Sequence, residues 1–123
     1  MRHIAAVIGL AALAIVQAGG LAWAHHGWSW TTGGNIELIG IVKSAKLGMP
    51  HGVLEVDAEG EVWTVEVGQP WRNERVGLTP DHFAPGVELK IVGEPSANLG
   101  DKLLKAERIY IEGKEYVLYP NRS

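Results

Sequence analysis

Val53-Leu54-Glu55-Val56-Asp57-Ala58-Glu59-Gly60-Glu61-Val62-Trp63-Thr64-Val65-Glu66-Val67 consists of two alternating runs joined by a short turn containing glycine. Successive strand side chains point to opposite faces. Val62, Thr64 and Glu66 therefore face one way, and Trp63, Val65 and Val67 the other. Gly60 supplies the conformation that a tight antiparallel connection needs. The stretch predicts a β-hairpin, and the elements on either side of it decide the class.

Upstream, Ile36 to Lys46 alternates with high β-branched content and predicts a strand. Ile36, Leu38, Gly40 and Val42 share one side; Glu37, Ile39, Ile41 and Lys43 share the other. Gly40 within it predicts a bend or bulge, as barrel strands require. Leu47 to Gly52 is a loop punctuated by Gly48, Pro50 and Gly52. Downstream, Pro70 suits a first helical turn and Gly77 a helix end. Thr79 before Pro80 reads as the N-cap of a second short turn. Val87 to Pro95 and Leu103 to Glu112 are further strands, the latter with Ala106, Arg108, Tyr110 and Glu112 on one face. Glu112-Gly113-Lys114 turns into a short sixth strand, Glu115 to Tyr119. The expectation is a mainly β protein: a small OB-like Greek-key barrel of five to six strands, with one short helical segment after the third. A half-open β-sandwich is the alternative.

The chain has 123 residues, no cysteine and a net charge of −3. Met1-Arg2-His3, the apolar Ile4 to Val16 and the small residues ending at Ala24 read as a secretory signal. The expected organisation is a signal peptide over 1–24, an N-terminal arm over 25–35 and the barrel over 36–120. In the arm Trp28 and Trp30 alternate, so an extended segment would point both the same way. The absence of cysteine excludes disulfides even in an oxidising compartment. Charges of both signs are interspersed with no basic block, which argues against nucleic acid. A periplasmic or secreted location is expected, without a stable membrane anchor after cleavage.

Several pieces in order resemble a family of unknown function made of small exported bacterial proteins. They are Ala24-His25-His26 at the signal junction, Gly40-Ile41-Val42, Pro50-His51 and Trp63-Thr64-Val65-Glu66. Arg72 to Gly77 followed by Leu78-Thr79, then Pro85-Gly86 and Val92-Gly93, complete the set. The family commonly has Asn-Pro-His where this chain has Met49-Pro50-His51, which removes the amide and keeps the imidazole. The resemblance implies an exported β-domain and no particular activity.

Cleavage after Ala24 would leave His25 with a free α-amine. An α-amine whose pKa is near 8 and an imidazole together chelate Cu(II), and His26 or His51 would add another nitrogen. His25, His26 and His51 are thus the candidate metal ligands, and Cu(II) the candidate ion. Cleavage after Ala22 would put His25 third, which also suits square-planar Cu(II). His51 could instead cap its turn, and His82 reads as a surface or capping residue. Arg72 and Arg75 lie at i and i+3 on one helix face. With Trp71 they could hold a small anionic ligand or an envelope protein; they could equally pair with Glu74, Glu66 or Asp81. No catalytic residues are expected: the chain lacks a nucleophile elbow, a cysteine nucleophile and a phosphate loop. Asp and Glu look scattered along solvated strand faces.

Overall fold

The computed structural model describes residues 27–98 and 100–122. Six strands run as β1 (Ile36–Leu47), β2 (Gly52–Ala58), β3 (Glu61–Glu66), β4 (Glu88–Pro95), β5 (Leu103–Ile111) and β6 (Lys114–Val117). A helix α1 (Pro70–Arg75) and a 3-10 turn (Pro80–Phe83) separate β3 from β4. The sheet order is β3-β2-β1-β4-β5-β6, and β3 also pairs with β5. That parallel pairing, Thr64–Glu66 against Leu103–Lys105, closes five strands into a barrel. β6 is an extra strand on β5. The expected OB-like barrel is therefore the observed fold. Closure removes most exposed strand edges, which a chain without disulfides needs to stay in register.

The hairpin forms as its pattern requires. Glu59 and Gly60 both have positive φ, 53° and 82°, the two-residue geometry that matches the twist of paired strands. Leu54, Val56, Val65 and Val67 point into the barrel and are fully buried. Leu38 and Val42 of β1, Leu89 and Ile91 of β4, and Leu104, Ala106 and Ile109 of β5 complete the core. Phe83 and Leu78 plug one end from the helical segment. Trp63 is only partly buried against this core, with the Lys102 ammonium 5.3 Å from its ring.

Two expectations about strand facing change. The irregularity in β1 falls between Val42 and Ser44 and not at Gly40. Gly40 is instead a point of close approach, where a Cβ would sit 2.6 Å from Val56 Cγ1. In β5 the register shifts opposite Val92 and Gly93, with Glu107 as the extra residue. Two consecutive side chains, Glu107 and Arg108, then follow the inward-pointing Ala106 before the buried Ile109. Ala106 therefore does not share a face with Arg108 and Tyr110, because the bulge resets the alternation.

Gly27–Trp30 is a turn and not the extended segment expected from its alternation. It falls in a separate compact unit from Thr31–Arg122. Within the larger unit, Thr31 bridges to Ser96, and the Thr32 N–H donates to the Pro95 carbonyl at 3.0 Å. Among the described residues no helix is long and apolar enough to cross a membrane.

Candidate functional site

Lys105, Glu66 and Glu94 are direct cross-strand partners, because Lys105 pairs with Glu66 on β3 and with Glu94 on β4. All three point outward from the barrel, yet all are buried. Outer-face charges stay buried only when something covers them and something pairs with them. The Lys105 ammonium lies 3.3 Å from Glu66 Oε1, and His51 Nε2 approaches the same oxygen at 3.3 Å. Only 14% of the His51 side chain is exposed, so this loop histidine is held inward.

The segment after β6 provides part of the cover. The Leu118 and Tyr119 N–H groups both donate to the Glu107 carbonyl, at 2.8 and 3.1 Å. The Tyr119 ring lies 5.9 Å from the Lys105 ammonium and 4.2 Å from the Arg72 guanidinium. Burial raises the Tyr119 phenol above its ordinary value; Arg72 opposes that rise and the Glu66 charge adds to it. Arg72 also stacks on Trp71 at 4.5 Å. It donates through Nη1 to the Leu118 carbonyl at 3.0 Å. Arg72 is thus engaged with two rings and the C-terminal backbone, and the ion pairs offered for it by sequence are not the contacts it makes. Trp71 is half-exposed and Arg75 exposed. The buried Asn73 anchors α1. Its amide accepts from the Gly68 N–H and donates to the Gly68 carbonyl, both at 3.0 Å.

Further along the same face, Glu94 and Glu107 are only 3% and 1% exposed. Their carboxyls act on each other, which helps to lower the Glu94 pKa and to raise that of Glu107. Arg122 Nη2 donates to Glu94 Oε2 at 2.8 Å and Nε to the same oxygen at 3.2 Å. Arg122 Nε lies 3.9 Å from Glu107. Thr31 Oγ1 donates to Glu94 at 2.6 Å and the Gly33 N–H at 3.1 Å, while Asn35 Nδ2 donates to Glu107 at 3.0 Å. Burial alone would raise the Glu94 pKa, but the bonds from Thr31, Arg122 and Glu107 bring it below its ordinary value. Burial, with the Glu94 charge beside it, holds Glu107 above its ordinary value despite the Asn35 bond.

Glu66, Glu94, Lys105, Glu107 and Arg122 do not stand out in the sequence, where the acidic residues look scattered along solvated strand faces. The available signal was Leu103-Leu104-Lys105-Ala106-Glu107, where charges alternate with core residues in a strand central to closure. His82 does cap its turn: Nδ1 accepts from the Thr79 N–H at 2.9 Å. The Tyr116 hydroxyl stands 3.3 Å from the other ring nitrogen. His25 and His26 lie outside the described residues. Among those described, no three His, Cys, Asp or Glu side chains are grouped to hold a metal ion.

Residues 12–103 match the profile of a family of unknown function, DUF6152. The chain belongs to that family. No curated protein matches it. One solved chain, in the Stn1–Ten1 complex of S. pombe, superposes with a TM-score of 0.51 at 17% identity, over 65% of this chain and 59% of that one. Another, in a ZRD-deleted mutant of TiaS in complex with agmatine, gives a TM-score of 0.49 at 16% identity, over 68% of this chain and 26% of that one. The chain thus spans less than two thirds of either solved chain. At these identities the first likeness speaks to the fold alone. The family match ends at residue 103, so Lys105, Glu107, Tyr119 and Arg122 lie beyond it.

Proposed function

We propose that this protein is an exported, noncatalytic binding protein that takes a Cu(II) ion. The donors are the α-amine and imidazole of a mature N-terminal His25, with His26 and His51 adding imidazole nitrogen. Export and the free amine rest on the signal-like Met1–Ala24 and its junction with His25. The observation that carries the reading is His51. A solvated loop histidine would point to water, whereas His51 holds Nε2 3.3 Å from the buried Glu66 carboxylate. Glu66 also supplies negative charge beside the ion.

The exported protein, weighed intact with and without Cu(II), should begin at His25 and gain one copper. Its EPR spectrum should be tetragonal and nitrogen-rich. The pair His25→Ala and His26→Ala should abolish the species, and His51→Ala should change its nitrogen couplings. Unchanged binding in the double variant overturns the reading. A second reading, a metal-free module for an envelope protein or a small anion, draws on the exposed Trp71 and Arg75 of α1. It requires a partner whose capture is indifferent to copper and lost in Arg75→Glu.

A further inference from the structure

The last sheet residue of β6 is Val117. Beyond it the chain is fastened differently. Leu118 and Tyr119 hang from one carbonyl, that of Glu107. Pro120 has no N–H to offer, and Pro120 and Asn121 are exposed. A turn closes from the Arg122 N–H to the Tyr119 carbonyl at 3.1 Å. Two side chains then grip the body of the barrel. Tyr119 stacks on Arg72 above Lys105, and Arg122 binds Glu94 through two nitrogens. Leu118 is buried in the core and stays with the barrel; beyond Tyr119 the chain is fastened by side chains and not by a ladder, and such a segment opens at lower cost than a paired strand.

We infer that residues 119–122 are a strap that gates the His51–Glu66–Lys105 site, and that Arg122 on the Glu94–Glu107 pair is its latch. This rests on the reading of that site as the place where ligand binds. Each part has a distinct task. Tyr119 covers the Lys105 ammonium. Glu94 supplies the charge that Arg122 grips, a charge-assisted bond of the strong kind. Glu107 sets its carboxylate 3.9 Å from Arg122 Nε, and its backbone carbonyl is the hinge. Thr31, Gly33 and Asn35 hold the same carboxylates from the other side. The latch therefore ties the stretch before β1 and the stretch after β6 to one point.

The test reads access to Lys105 without metal. The full exported chain is treated with a small amine-acylating ester, and each lysine is followed by peptide mass spectrometry. In the parent chain Lys105 should react far more slowly than the exposed Lys43 and Lys46. Arg122→Ala should speed Lys105 acylation roughly tenfold and leave Lys43 and Lys46 unchanged. Glu94→Gln should act the same way; Glu107→Gln, which keeps a neutral partner and the hinge carbonyl, should not. Lys105 reacting as fast as Lys43 in the parent chain overturns the gate. An unaltered Lys105 rate in Arg122→Ala, with the thermal midpoint preserved, overturns the latch. Loss of copper binding in the His25/His26 variant would remove the proposed ligand and leave this lysine result standing, so the two failures are told apart.

Discussion

Lys105 and Glu107 stand two residues apart on the outer side of one strand, and their buried charges are handled in opposite ways. Around Lys105 the charges alternate in sign: Glu66, Lys105 and Glu94 follow one another across three strands. Around Glu107 two acids meet, and a guanidinium and three donors from Thr31, Gly33 and Asn35 hold them. The first arrangement uses residues fixed in the sheet. The second recruits chain on both sides of the barrel. Opposite charges in a ladder need only register, whereas like charges need outside partners. The Glu107 end is accordingly where the two flanking segments are tied down.

The largest effect should come from breaking the alternating row. Lys105→Met leaves the Glu66 carboxylate buried without its ammonium. Unfolding in urea should show a loss of about 3–5 kcal/mol, the cost of orphaning one member of a buried pair. A loss under about 1 kcal/mol would mean that the row carries no such pairing. Arg72→Ala probes the cover over that row without touching the acid pair. It removes two ring contacts and the bond to Leu118, and a loss of about 1–2 kcal/mol should appear in the same titration.

Glu107→Gln should change stability least, within about 0.5 kcal/mol near pH 4, yet it should change the pH profile most clearly. The fold raises the Glu107 pKa, so its contribution is complete below the ordinary value of 4.5. It is lost as pH rises through the raised value. Glutamine at this position should remove that decline. Glu94 has the opposite sign: its contribution is present above 4.5 and lost as pH falls through its lowered value. The acid limb of the profile should therefore persist in Glu107→Gln. A parent profile flat above pH 4.5 would refute the raised Glu107 pKa.

The barrel was legible in the sequence because alternation and turn chemistry are local. Val53 to Val67 could hardly read otherwise, and Thr79-Pro80 announced its turn. The charged row was not legible, because it depends on which strands become neighbours. Glu66, Glu94 and Lys105 are each ordinary strand residues until β3 meets β5. Burial of Glu107 depends on Asn35 and Arg122, distant in sequence on either side of it. His51 stands out by its place after Pro50, and Glu66 lies at the open end of the same hairpin, opposite Val53; what hides the contact is that Glu66 is buried only once β3 meets β5. The facing of Arg108 failed for a different reason: a bulge leaves no mark in composition.

That bulge has a further consequence. Deleting Glu107 would cost its bonds to Asn35 and to the chain after β6, yet leave the ladder in phase: Ala106 and Arg108 would follow one another opposite Gly93 and Val92, with Ile109 still facing inward. Deleting a residue beyond the bulge, such as Tyr110, has no extra residue to absorb it and would turn Ile111 outward on a strand bordering a short, open edge. Such a lesion would read in a cell as insolubility and self-association, not as a missing activity.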